Sequence, residues 1–282
     1  MFSSFKVIAV VVDETQRDNN VADHAARLAK RHGAHLIAIY SAANPEVSLS
    51  GSYAVGKEAI GDVLTHMRSE HDSKVLKAET FLAELSHRYD LSVEFRLIWR
   101  QGDDLDLTAH ALHCDLLILA HPMPERVSSL RPDQLLLNAG TPVLIVPAQW
   151  EGARIGSRTV IAWNGSRQAR RGIVDAMPFL ARSEWVKVLL VDADRHPEKH
   201  GPYPGTDMAH YLARHDVEAV EVERIEAGDQ SVAEAILSFT ADQDADLLVI
   251  GAYSHPLLFE MLLGGVTRPL LTDTTVPLLI AL

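Results

Sequence analysis

The chain has little of what marks secreted, membrane-bound or nucleic-acid-binding proteins. It has one cysteine in 282 residues, Cys114, so no disulfide can form within it. Its 26 Lys and Arg are outnumbered by 38 Asp and Glu, and a net charge of -12 gives no attraction to nucleic acid or an anionic membrane. Residues 1–6 lack the features of a signal peptide, and no uncharged apolar run approaches the ~20 residues of a membrane helix. These absences predict a cytoplasmic protein that binds neither nucleic acid nor membrane.

What the sequence does contain is an internal repeat with a period of about half the chain. Four landmarks recur in the same order in both halves: 7–13 and 159–164, 101–103 and 227–229, 115–120 and 246–251, and 141–146 and 276–281. Between the halves, the segment from Pro147 to Ser157 interrupts both the apolar alternation and any helical period. We therefore expect two domains, at residues 1–150 and 151–282.

Within each half, short apolar runs alternate with segments of helical period, which is typical of a parallel sheet with crossover helices. Strands are predicted near 6–12, 34–40, 92–99, 115–120, 142–146, 158–164, 185–191, 217–225, 246–250 and 276–281. Helices are predicted near 17–32, 56–89, 103–113, 131–138, 167–182, 206–214, 230–241 and 259–271. The fold class is thus α/β, with two tandem five-stranded parallel sheets flanked by helices. In such sheets ligands bind at the carboxyl ends of the strands, so we expect the site after strands one, two and four of a half.

Glycines follow the fourth strand of the second half. Gly251 ends the strand, and Gly264 and Gly265 precede the next helical segment. Glycine lets the backbone come close to a ligand, and free N–H groups at a helix start favour phosphate. Glycine also ends strands and helices for purely conformational reasons, so spacing alone leaves both interpretations open.

Here the sequence resembles the universal stress protein family in its tandem form, weakly in the first half and well in the second. Members that bind ATP carry a glycine, two residues, a glycine, nine residues, and a glycine followed by Ser or Thr. Gly251, Ser254, Gly264 and Gly265 stand at those four places, so the first and third match and the other two depart. The resemblance implies a Rossmann-like, adenine nucleotide alpha hydrolase-like fold for each half.

The resemblance also implies an adenine nucleotide, ATP with or without Mg²⁺, in the second half. Asn164 stands where the family usually has Asp, and the adenine-side contact falls at the end of strand two. The expected binding residues are Ala162, Trp163, Asn164, Val191, Gly251, Ser254, His255, Gly264, Gly265, Val266 and Thr267. We expect a stress-response protein with a regulatory nucleotide and no catalytic residues. A nucleotide-free scaffold and a slow ATP hydrolase are the alternatives.

The first half has lost this motif. The loop 121–130 has no glycine, two prolines without N–H groups and an acidic side chain, Glu125, so phosphate would find few donors. We expect this half to act as a pairing or regulatory partner without a nucleotide. The resemblance implies that the fifth strands, Thr141 to Val146 and Val276 to Ala281, pair within the chain and make an intramolecular pseudo-dimer. Whether the whole chain also forms a homodimer stays open.

Two groups of side chains have competing interpretations. His110, His113 and Cys114 share a predicted helix, and His196 and His200 share a loop. Zinc could use such spacings, but a helix C-terminus favours cations and a cysteine before a buried strand is usually core, so no metal site is expected.

The start of the first helix of the second half is basic. Arg167, Arg170 and Arg171 either pair with surface acids or, for Arg167, neutralise phosphate. Trp163, at the end of the preceding strand, either stacks on a base or packs in the core. Ser166 is predicted to cap the helix.

Overall fold

The computed structural model describes residues 4–12, 16–43, 57–100, 105–121, 135, 138–195, 197–252 and 266–282. Its strands are β1 (Val7–Val12), β2 (His35–Ala43), β3 (Val93–Arg100), β4 (Leu116–Ala120), β5 (Val143–Val146), β6 (Arg158–Ala162), β7 (Trp185–Val191), β8 (Val220–Ile225), β9 (Leu247–Gly251) and β10 (Leu278–Ala281). Its helices are α1 (Gln16–His32), α2 (Lys57–Tyr89), α3 (Leu105–Ala111), α4 (Arg167–Leu180), α5 (Pro197–His200), α6 (Thr206–Ala213), α7 (Val232–Asp242) and α8 (Thr267–Asp273).

All ten strands form one sheet, in the order β3-β2-β1-β4-β5-β10-β9-β6-β7-β8. Within each half the neighbours are parallel, and the strand order reverses beside β1 and again beside β6. The halves join through β5 and β10, which pair antiparallel with Leu144 opposite Leu279. The predicted α/β fold and the predicted pairing of the fifth strands are both confirmed.

The apolar core lies on both faces of this sheet. Alternate residues of β1 point to opposite faces, with Ile8 and Val10 in one cluster and Ala9 and Val11 in the other. Helices α1, α2, α4 and α6 contribute to the first cluster, and α3, α7 and α8 contribute to the second. Coverage of both faces explains why the central strands are continuously apolar.

The repeated aspartates at the start of the fourth strands have a structural role. Asp246 is 6% exposed, and its Oδ1 accepts hydrogen bonds from the backbone N–H groups of residues 156–158 at 2.8–2.9 Å. Burial raises the pKa of this carboxyl in spite of the three donors. In the first half, Asp115 accepts from the N–H groups of residues 6–7 at 2.7 and 3.0 Å. Each aspartate therefore ties the start of its half's first strand to the fourth strand.

One segment differs from its prediction, and others lie outside the described residues. Between β7 and α6, where the sequence predicts no helix, lie a 3₁₀ turn, Ala193–Arg195, and the one-turn helix α5. Pro197 begins α5 because the first position of a helix needs no N–H partner. The helix predicted near 131–138 lies mostly outside the described residues, and so does the first part of that near 259–271. Among the described helices, none is long and apolar enough to span a membrane.

Candidate functional site

A cleft opens at the carboxyl ends of β6, β7 and β9, where the strand order of the second half reverses. Its volume is about 120 Å³, and α4, α7 and α8 also contribute to its lining. Seven of the residues expected from the sequence line it: Ala162, Trp163, Asn164, Val191, Gly251, Val266 and Thr267. The other four, Ser254, His255, Gly264 and Gly265, lie outside the described residues. The cleft thus occupies the edge of the sheet at which such folds bind ligands.

Sequence reasoning missed the apolar walls of the cleft. Leu189 and Ile250 come from the strands, Ile236 from α7 and Leu270 from α8. All four side chains are less than 5% exposed. In the sequence they match the core pattern of strands and amphipathic helices, so nothing in their spacing distinguishes a cleft wall from core.

The turn between β6 and α4 is held by its own side chains. The Oδ1 of Asn164 accepts from the N–H of Ser166 at 3.1 Å, and Gly165 takes a left-handed φ of 70°. Ser166 caps α4 as predicted, because its Oγ accepts from the N–H of Ala169 at 3.1 Å. With its oxygen engaged in the turn, Asn164 offers its amide NH₂ group to a ligand. It lacks the negative charge that an aspartate would place there.

Gly251 is required by packing. A Cβ at this position would collide with the backbone of Gln168 and Ala169 in the first turn of α4. On the facing side, a Cβ on Gly172 would lie 2.8 Å from the carbonyl oxygen of Ile250. The two glycines therefore let α4 pack directly against the end of β9. Sequence reasoning missed Gly172, although a glycine inside an amphipathic helix is itself a signal of close packing.

The first half lacks this contact. Ala120 occupies in β4 the place that Gly251 has in β9, and Val21 occupies in α1 the place that Gly172 has in α4. Side chains at both places leave no room for the same approach of helix and strand backbones. The close packing that shapes the floor of the cleft belongs to the second half.

Two of the three arginines at the start of α4 are already engaged. Arg170 stacks on the ring of Tyr211, with its guanidinium carbon 4.4 Å from the ring centroid, and donates to the hydroxyl at 2.9 Å. Arg171 donates to Asp175 at 2.8 Å. Arg167 is exposed, and it makes no ion pair or hydrogen bond with any residue that the structure describes. Among the described contacts, it is the arginine of this group that is not engaged by another side chain.

The rim of the cleft beyond β7 is also fixed. Asp192 has a left-handed φ of 53°, and its Oδ1 accepts from the N–H of Ala227 at 3.3 Å. The guanidinium of Arg195 lies 3.4 Å from its other oxygen. Trp163 is half-buried, packs against the core and also lines the cleft, so the two interpretations of this residue are compatible. The turns that follow β6 and β7 are therefore held by contacts within the protein.

Two of the side chains considered as metal ligands, His110 and Cys114, have protein partners. Arg96 lies 3.0 Å from the Nδ1 of His110, and the thiol of Cys114 donates to the carbonyl oxygen of Ala111 at 3.2 Å. Burial raises the pKa of Cys114 to about 12, which keeps the thiol protonated and unreactive. Within the described part of the chain, no three His, Cys, Asp or Glu side chains are grouped as metal ligands.

The universal stress protein family model matches this chain twice, over residues 4–147 and again over 159–281. The chain belongs to the universal stress protein family. A universal stress protein from Archaeoglobus fulgidus DSM 4304 has a similar structure, with a TM-score of 0.71 and 13% identity over 98% of this chain and 97% of that one. A putative universal stress protein from Pseudomonas aeruginosa UCBPP-PA14 matches with a TM-score of 0.53 and 16% identity over 99% and 94%. No curated protein matches the chain. At these identities the two structures support the tandem fold of this universal stress protein and leave its ligand open.

Proposed function

We propose that this universal stress protein binds an adenine nucleotide, ATP, in the cleft of its second half, and that the nucleotide is a regulatory ligand of a stress response. One observation carries the proposal. The cleft at the strand-order reversal brings together Ala162, Trp163, Asn164, Val191, Gly251, Val266 and Thr267, seven of the residues that the family resemblance leads us to expect at the nucleotide. They come from three strands and a helix, so their convergence depends on the fold.

The lining and its surroundings offer both apolar surface for a ring and polar groups for an anion. Val191, Ile236 and Leu270 offer apolar surface for a base. Thr267, 7% exposed, is a lining residue with a hydroxyl, and Arg167 at the start of α4 makes no ion pair or hydrogen bond with the described residues. A hydroxyl donor and a guanidinium are the groups that bind phosphate. These polar groups favour a nucleotide over an uncharged apolar ligand.

The same lining argues for binding over hydrolysis. Its described members include no carboxylate, histidine or lysine, which are the side chains that most often act as general bases. Asn164 and Thr267 can orient a phosphate but cannot remove a proton from water at neutral pH. We therefore propose a regulatory site without catalytic residues.

The direct test is to purify the protein, extract it with acid and analyse the extract for nucleotides, and then to titrate the stripped protein calorimetrically with ATP, with and without Mg²⁺. We expect one ATP per chain, and weaker binding of a pyrimidine nucleotide. Absence of binding heat at millimolar ATP would support the nucleotide-free scaffold. Release of phosphate at a steady rate would support the slow hydrolase.

Two pairs of variants locate the site. In the described part, Thr267→Val removes the buried hydroxyl and should weaken ATP binding about three- to tenfold. Thr272→Val changes an exposed threonine of the same helix and should leave the affinity unchanged.

Outside the described part, Gly264→Asp places a carboxylate in the expected phosphate loop. At an effective dielectric of about 20, this carboxylate and a phosphate charge ~4 Å away repel each other by about 4 kcal/mol, which corresponds to about a thousandfold loss of affinity. Its counterpart in the first half, Ser129→Asp, should have no effect, and equal losses would place a site in both halves.

A further inference from the structure

Two side chains of α1 hold the linker between the halves. Asn20 and His24 are the fifth and ninth residues of this helix, one turn apart on the same face. The Nδ2 of Asn20 donates to the carbonyl oxygen of Trp150 at 3.0 Å, and the Nε2 of His24 lies 3.2 Å from the same oxygen. The Trp150 side chain packs against the core clusters of both sheet faces. This aromatic residue of the linker is thus anchored through its backbone by the fifth and ninth positions of the helix.

The fifth and ninth residues of α4, the equivalent helix of the second half, are Arg171 and Asp175. They line a second cavity, which lies between α4 and the starts of β1, β4 and β5. Its volume is about 340 Å³, larger than the 120 Å³ of the nucleotide cleft. Since β5 joins the two halves and α4 belongs to the second, the cavity is continuous with the interface between them. The positions that bind the backbone of Trp150 on α1 therefore face a cavity on α4.

The walls of this cavity are apolar and its rim is polar. Phe5, Pro142, Val174 and Pro178 provide the apolar lining, and Phe5 and Pro142 are buried. Such a surface accepts the flat face of an aromatic ring. Arg171 is exposed at the rim, where a segment of chain lying over the cavity would meet it.

The polar groups of the rim complement a peptide backbone. Asp175 has a side chain 10% exposed, and among the described residues its one hydrogen-bond partner is Arg171, at 2.8 Å. The carboxylate can accept from a peptide N–H, and the guanidinium has further donors for a peptide C=O. The other polar side chains of the lining have partners within the protein. Asp115 accepts from the start of β1, Ser4 donates to the carbonyl oxygen of His32 at 2.7 Å, and Cys114 and Thr141 donate to that of Ala111 at 3.2 and 2.8 Å.

We propose that the cavity beneath Arg171 and Asp175 binds an aromatic residue of a partner protein, carried on an extended peptide segment. The ring fills the apolar part, and the backbone amide pairs with Arg171 and Asp175 at the rim. This inference does not rest on nucleotide binding, because the cavity and the cleft share no lining residue. Its consequence is a protein-binding site at the junction of the two halves.

The test uses the full chain and a probe copied from its own linker. The probe is the blocked peptide of residues 148–152, Ala-Gln-Trp-Glu-Gly, and its control carries Ala in place of Trp. Binding is measured by saturation-transfer NMR and by calorimetry, since the four tryptophans of the protein complicate fluorescence. We expect the Trp peptide to bind at least about tenfold more tightly than the Ala peptide. Equal affinities, or no binding at millimolar peptide, would overturn the proposal.

Three variants of α4 show whether the peptide occupies this cavity. Val174→Trp fills the cavity and should weaken binding of the Trp peptide at least about tenfold. Asp175→Asn keeps the shape of the side chain but removes its charge, and should weaken binding about three- to tenfold. Arg170→Gln alters the neighbouring arginine that stacks on Tyr211 and should leave binding unchanged. Melting curves establish whether each variant is folded. If Val174→Trp does not fold, Asp175→Asn still tests whether the peptide binds in this cavity. Unchanged binding in a folded Val174→Trp or Asp175→Asn, or an equal loss in Arg170→Gln, would overturn the assignment.

Discussion

His32 is buried where the two halves of the protein meet, and its protonation should loosen that contact. Its side chain is 5% exposed, and its ring centroid lies 4.9 Å from that of Phe5 and 6.0 Å from that of Phe179. Burial, together with the charges of Arg182 and Arg31, lowers the pKa of His32 from 6.5 to about 4. The neutral ring fits this environment and the charged ring does not.

The sign and size of the effect follow from the two pKa values. An unfolded chain has a histidine pKa near 6.5, so between pH 6.5 and 4 the unfolded state binds a proton that the folded state excludes. The contribution of neutral His32 to stability is therefore complete above pH 6.5 and is lost as the pH falls towards 4. At about 1.4 kcal/mol for each pH unit, the total loss over this interval is about 3 kcal/mol.

The assay is urea unfolding at a series of pH values from 7.5 to 4, comparing the wild type with His32→Leu, which stays neutral throughout. Other titrating groups are common to both proteins, so the difference in unfolding free energy isolates His32. That difference should shift by about 3 kcal/mol in favour of the variant as the pH falls. His87→Gln, a change at an exposed histidine, should run parallel to the wild type. If the His32→Leu and wild-type curves also stay parallel within about 0.5 kcal/mol, the argument from burial is wrong.

The remaining predictions concern the packing of the sheet. Gly251→Ala and Gly172→Ala should each lower the free energy of unfolding by about 1–3 kcal/mol, because the added methyl group meets backbone atoms. An unchanged free energy in urea unfolding would contradict the close contact of α4 and β9. Asp246→Ala should cost about 3 kcal/mol or more, since three buried N–H groups lose their acceptor, whereas Asp246→Asn, which keeps an acceptor oxygen, should cost less in the same assay. Halves expressed separately, cut near Gly152, should associate or aggregate through the exposed edges of β5 and β10, and sedimentation showing two independent monomers would contradict this.

The fold was predictable from the sequence because its strands are buried on both faces. Runs such as 116–119 and 247–250 leave little choice of element, and the strands lie within a few residues of their predicted places. The pairing of β5 with β10 came from the family resemblance, since two short apolar strands do not specify each other by pattern. The helix α5 was missed because four residues are too few to show a helical period.

The position of the cleft could be predicted from the sequence, but only some of the residues that line it could. The edge of the sheet at which the cleft lies follows from the general rule for parallel α/β folds, and its polar residues were expected from the family resemblance. Its walls at Leu189, Ile236 and Leu270 were not identified, because a wall residue and a core residue have the same chemistry. The second cavity could not be found from the sequence at all. It depends on which positions of α4 face the first half across β5, and that is set by the joining of the two sheets.

Gly251 matches the family motif, but packing alone requires a glycine at this position. Because α4 collides with any side chain at this position, glycine is needed there whether or not a nucleotide binds. The match of Gly251 to the motif is therefore evidence for the position of the helix, and through it for the shape of the cleft. Thr267 and Arg167 are different, since no described packing contact requires a hydroxyl or a guanidinium at these places. An ATP titration in which Thr267→Val and Arg167→Gln both kept the wild-type affinity would remove the polar contacts on which the nucleotide proposal depends, whatever the effect of Gly251→Ala.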